Sequence, residues 1–123
     1  MALVLVVDDD PVFREIATEM LRQAGYQVRQ AENGRVATER AMPAAPDLAV
    51  VDMLMPERDG IETIGDLKTR WPGVRIIAVS SGGRGALDAG VLLRAAKALG
   101  ADAALEKPLN HDTFLGLVRS LVG

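Results

Sequence analysis

Five short apolar runs mark out the chain, and between them apolar residues recur at helical spacing. Leu3–Val7 (LVLVV) is unbroken, branched and apolar, which predicts a strand covered on both faces. Residues 48–51 (LAVV) and 76–79 (IIAV) carry the same pattern. Residues 26–31 (YQVRQA) alternate apolar with polar and suit an exposed edge strand, while the short run 103–105 fits the other edge. Helix signals fill the gaps. Asp10-Pro11 joins an N-cap to a proline at the first helical position. Val12, Phe13, Ile16, Met20 and Leu21 follow at helical spacing, and Gly25 stops the helix. A second helix opens at Asn33-Gly34 and is expected to run to about Met42. Ile61, Ile64, Leu67 and Lys68 place a third, ended by Trp71, Pro72 and Gly73. The fourth is capped by Asp88, lined by Leu92, Ala95, Ala96 and Leu99, and closed by Gly100. Asn110 caps the fifth, which turns Phe114, Leu117, Val118 and Leu121 inward.

Strict alternation of five strands with five helices calls for a mainly parallel sheet, right-handed crossovers and helices on both faces. In such α/β sheets ligands bind beyond the carboxyl ends of the strands, where the winding reverses. The residues just after each strand are therefore where chemistry is expected. A length of 123 residues suits one domain over residues 1–123, with no output domain. A chain of this size buries about two thirds of its unfolded surface, enough for a core without staples.

Composition narrows the chemistry. Cysteine is absent, which excludes disulfides, thiol catalysis and cysteine-ligated metals. The single histidine, His111, cannot build a zinc site and makes a His-paired nucleophile a poor fit. Seventeen acidic residues against 14 Lys and Arg give a net charge of −3, with no basic footprint for nucleic acid. One Trp, one Tyr and two Phe offer few stacking platforms for single strands. No apolar run approaches the roughly 18 residues of a membrane span, and residues 1–7 are too short for a signal peptide. The expectation is a soluble, cytoplasmic protein with no direct nucleic-acid contact and no membrane insertion.

Carboxylates, hydroxyls, amides and a few cations remain, and they gather at the strand ends. Asp8, Asp9 and Asp10 follow the first strand, and Asp52 follows the third. Ser80, Ser81, Gly82 and Gly83 follow the fourth, and Glu106, Lys107 and Pro108 the fifth. Singly, each has a plain structural explanation. Asp10 is assigned as a helix cap, Asp52 suits the start of a turn, Ser80 a loop and Lys107-Pro108 a turn. Together they are harder to explain. Converging Asp8, Asp9 and Asp52 would repel by about 4 kcal/mol per pair at 4 Å and an effective dielectric near 20. A cation gives a reason to collect them. Three carboxylates with backbone oxygen and water suit Mg²⁺; calcium also takes oxygen ligands, but no EF-hand loop is present. Lys107 adds a compact positive charge for an anion beside the metal, and Ser80 a hydroxyl. Asp52 can then serve as a nucleophile that forms an aspartyl phosphate.

The sequence resembles the receiver domain of two-component response regulators over essentially its whole length. The resemblance is carried by VLVVDDDP at residues 4–11, DLAVVDMLMPERDG at 47–60, IIAVSS at 76–81 and KP at 107–108. It implies a flavodoxin-like three-layer sandwich with strand order 2-1-3-4-5. It makes Asp52 the phosphoacceptor and Asp9 and Asp52 direct Mg²⁺ ligands. Asp8 then acts largely through water, and the Leu54 backbone carbonyl is a further ligand. Lys107 would pair with the phosphoryl group and Ser80 would hydrogen-bond it. The donor implied is a phosphohistidine on a sensor histidine kinase or a histidine phosphotransfer protein, and the readout is an unidentified downstream protein. His111 opens the last helix and is expected on the surface rather than as that donor.

Two departures from the family pattern bear on function. Ala104 stands where many receivers carry Tyr or Phe, so the usual aromatic readout is missing. The connection at residues 81–87 (SGGRGAL) is long and glycine-rich, suiting either a surface loop or a gate through which Arg84 reaches the anion. The leading reading is a phosphorylation-controlled switch acting in trans or as a phosphorelay intermediate. It would catalyse only its own phosphorylation and dephosphorylation. The alternative is a receiver-fold interaction module that works unphosphorylated; a phosphatase of similar topology is a third class.

Overall fold

Branched aliphatic runs become the strands, because a pleated surface packed on both sides suits them. A computed structural model describes residues 2–39, 44–53, 60–81 and 89–123. Among these, β1 (Leu3–Val7), β2 (Gln27–Ala31), β3 (Leu48–Asp52), β4 (Arg75–Ser81) and β5 (Ala103–Lys107) form one sheet of order β2-β1-β3-β4-β5, parallel throughout. The helices are α1 (Pro11–Gln23), α2 (Gly34–Glu39), α3 (Gly60–Arg70), α4 (Ala89–Ala98) and α5 (His111–Val122). β1 and β3 are buried at every position, whereas β2 at one edge alternates and β5 at the other is half-covered. The flavodoxin-like sandwich expected from the sequence is what the chain forms.

Strand alternation divides the core into two layers. Val4, Val6, Val50, Ile77 and Val79 face Phe13, Ala17 and Leu21 of α1 and Phe114 and Val118 of α5. Leu5, Val7, Val51, Ile76 and Ala78 face Ala37 of α2, Ile64 and Leu67 of α3 and Ala96 of α4. Local signals set the helix ends. The Asp10 carboxylate accepts from Val12 N at 2.9 Å, with Pro11 next, and the Asn110 side chain accepts from Thr113 N at 3.0 Å. Gly25 and Gly100, at φ 98° and 114°, turn the chain out of α1 and α4 in the left-handed region open to glycine.

The inward faces differ from the expected ones in detail. Val12 is 64% exposed and Ile16 49%, so neither lines the core. Successive helical residues point about 100° apart, so one stripe alone can face the sheet. The stripe that faces the sheet is Phe13, Ala17 and Leu21 with Thr18. Ile61 is likewise exposed, and Leu99 lies past the end of α4 and is half exposed; in α5 Leu115 is buried in addition to Phe114 and Val118, with Leu117 and Leu121 packed half-buried against the same core. The expected end of the second helix near Met42, the Asp88 cap and the Leu92 side chain lie outside what is described.

Candidate functional site

All five carboxyl strand ends lie on one edge of a parallel sheet. The winding reverses there between β1 and β3, which opens the crevice where such folds bind ligands. Asp8 follows β1 directly, its N–H still donating to Ala31 O at 3.1 Å, so the ladder carries it to the edge. Asp52 is the last residue of β3, in register with Val79 of β4. Asp8 is fully buried, Asp52 is 5% exposed, and Asp9 faces solvent. One carboxylate oxygen from each of Asp8, Asp9 and Asp52 lies within 4.8 Å of the others. The cluster expected from the sequence is therefore assembled, and Asp10 stays outside it as the cap of α1.

Lys107, at the end of β5, reaches across this cluster. Its Nζ donates to Asp8 Oδ2 at 2.7 Å and stands 3.8 Å from Asp52 Oδ1. Three carboxylates gathered around the Lys107 ammonium offer the hard oxygen donors that a divalent cation such as Mg²⁺ prefers. Burial pushes the Asp8 carboxyl above the usual aspartate range, against the opposing pull of the Lys107 ammonium and the Asp10 N–H.

Ser80 is buried beside Val79, one residue past the partner of Asp52, and its hydroxyl donates to Ser81 O at 3.2 Å. Ala104 is half-buried on β5, paired with Ala78. His111 is exposed at the start of α5, as expected. Leu54, Arg84 and the rest of the 82–87 loop lie outside the described residues.

Two residues of α1 belong to the site without having been foreseen there. The Phe13 ring lies under the Lys107 ammonium, 4.2 Å from Nζ to the ring centre. Arg14 donates through Nη1 to Asp8 O at 2.7 Å and through Nε to Gln30 Oε1 at 3.1 Å, tying α1 and β2 to the carboxyl end of β1. The sequence marks Phe13 only as a core position and Arg14 only as a polar one. Gly60 also matters here. A Cβ at that position would lie 2.5 Å from Met53 Cα and 2.7 Å from Asp52 O, so α3 starts directly against the backbone of Asp52.

Comparison with protein families matches residues 4–119 to the response regulator receiver domain. The chain belongs to that family. Sporulation initiation phosphotransferase F of Bacillus subtilis is 33% identical over 116 residues, covering 94% of this chain and 90% of its own length. The response regulator protein TrrA from Thermotoga maritima, solved in complex with Mg(2+)-BeF, superposes with a TM-score of 0.79. It is 30% identical, over 99% of this chain and all of that one. Some relatives are much longer: this receiver spans 28% of a cyclic di-GMP phosphodiesterase of Thermotoga maritima, at 33% identity over 109 residues, 89% of this chain. Among the described residues of the receiver, no helix is long and apolar enough to cross a membrane.

Proposed function

We propose that this receiver is a phosphorylation-controlled signalling switch in the cytoplasm. It would accept a phosphoryl group from a phosphohistidine on a sensor histidine kinase or a histidine phosphotransfer protein. The observation that carries the reading is the meeting of Asp8, Asp9 and Asp52 within 4.8 Å, with Lys107 Nζ spanning Asp8 and Asp52. Mg²⁺ held by Asp8, Asp9, Asp52 and the Leu54 carbonyl would draw negative charge from the phosphoryl oxygens. The Mg(2+)-BeF bound by TrrA supports such a metal requirement.

The chain's own groups supply the rest. An Asp52 carboxylate oxygen attacks phosphorus while the phosphorus–nitrogen bond to the donor imidazole breaks; the bonding pair stays on that nitrogen, and the ring, carrying a solvent-derived proton on its other nitrogen, leaves as neutral imidazole. Lys107 faces the transferred group and balances its charge. The Ser80 hydroxyl, turned to Ser81 O at rest, can rotate about its Cα–Cβ bond to donate to a phosphoryl oxygen. The product carries close to two negative charges and three acceptor oxygens, enough to bias the surface around β4 and α4 toward a downstream protein in trans or toward a further phosphotransfer histidine.

A small phosphoryl donor, acetyl phosphate with Mg²⁺, tests this by intact mass. Wild type should gain one phosphoryl group; Asp52→Asn, or wild type in EDTA, should not. No incorporation from small donors or from any histidine kinase would favour the unphosphorylated interaction module, which the short Ala104 side chain is compatible with. Continuous turnover of phosphate esters would indicate a phosphatase instead.

A further inference from the structure

We propose that Phe13 is a positioning residue for phosphoryl transfer, its ring face holding the Lys107 ammonium over the gap between Asp8 and Asp52. The role rests on the function proposed above. Ala103 and Leu105 point into the core layer shared with α1 and α5, so by alternation Lys107 leaves β5 on that same side. From there its side chain must pass over the ends of β4 and β3 to reach Asp8 beyond β1. A four-carbon stem has many rotamers, and something must select the one that crosses. Phe13 lies under the ammonium at 4.2 Å. The ring is itself fixed: the Asp10 cap and Pro11 set the first turn of α1, and Phe13 is only 8% exposed within the core.

The unequal contacts of Lys107 show why a neutral anchor is useful. Nζ is drawn tightly to Asp8 at 2.7 Å and stands off from Asp52 at 3.8 Å. A phosphoryl group arrives on the Asp52 side, so an ammonium held by Asp8 alone would be on the wrong side of the gap. The ring attracts the cation whatever the charge on either carboxylate, and it does so with little water present, since the Lys107 side chain is 18% exposed. It therefore keeps Nζ beside the gap, within reach of Asp52, while its anionic partners change. A leucine would fill much of the same core space but offer no such face.

Two readouts test this on the full chain. Proton–carbon spectra, with the Lys107 ε-methylene assigned through Lys107→Arg, should show that methylene shifted upfield by the ring current. The shift should vanish in Phe13→Leu and persist in Phe13→Tyr. With acetyl phosphate and saturating Mg²⁺, Phe13→Leu should lower the maximal rate of Asp52 phosphorylation roughly 3- to 30-fold. Half-saturating Mg²⁺ should hardly change, and Phe13→Tyr should restore the rate. An unshifted Lys107 methylene in wild type, or a Phe13→Leu protein as fast as wild type, overturns the proposal. So does a Phe13→Tyr protein as slow as Phe13→Leu. If wild type takes up no phosphate, the proposed function falls, and the Lys107 spectrum still decides whether the ring holds the ammonium.

Discussion

Thr18 is the residue whose packing and polarity disagree most plainly. It lies fully buried on the sheet-facing stripe of α1, and its hydroxyl finds no hydrogen-bond partner among the described residues. Burying a hydroxyl without a partner costs about 1–3 kcal/mol on protein scales. Thr18→Val keeps the branched shape and removes the orphan oxygen. It should raise the urea midpoint by an amount worth about 1 kcal/mol with the slope unchanged; a lower midpoint would show that the hydroxyl is needed. At this scale the sequence discloses residues whose role follows from place. Asp8, Asp9, Asp52 and Lys107 each lie within two residues of the end of an apolar run, so strand assignment alone brought them to one edge. Phe13, Arg14 and Thr18 take their roles from neighbours distant in sequence, and nothing in the local pattern signals that.

Between elements, the start of α3 is pinned directly against the backbone at the end of β3. Gly60→Ala would place a methyl group 2.5 Å from Met53 Cα and 2.7 Å from Asp52 O, backbone that cannot swing aside. Overpacking of this kind costs about 1–3 kcal/mol. At Gly65 in the same helix an added methyl group would meet nothing within 4 Å, so Gly65→Ala should stabilise by about 0.5–1 kcal/mol through helix propensity. Denaturation of both variants checks the pair; a Gly60→Ala protein as stable as Gly65→Ala would refute the close approach. Strands and helix starts were legible because apolar runs, caps and proline act locally. The buried stripe of α1 was not. Val12 and Ile16 are as apolar as Phe13, and only contact with the sheet chose between the two stripes.

For the molecule as a whole, the proposed Mg²⁺ site would couple stability to metal. Mg²⁺ binding to the folded state alone adds about 2.7 kcal/mol at a hundred times its dissociation constant. The melting temperature of wild type should therefore rise with Mg²⁺. Asp9→Ala, which removes an exposed like charge from beside Asp8 and Asp52, should melt at or above wild type without metal and lose the rise. A lower melting temperature in EDTA, with the Mg²⁺ response retained, would make Asp9 structural rather than a ligand. The sequence by itself determined the alternation of strand and helix, the two edges of the sheet and the strand-end acids. These depend on periodicity and on residues adjacent in the chain. Only the tertiary structure decided how far those acids converge, which face of α1 is buried, and that Lys107 crosses two strands over an aromatic ring to reach Asp8. Those outcomes depend on how helices settle onto the sheet, where residues far apart in sequence compete for the same space and the same charge.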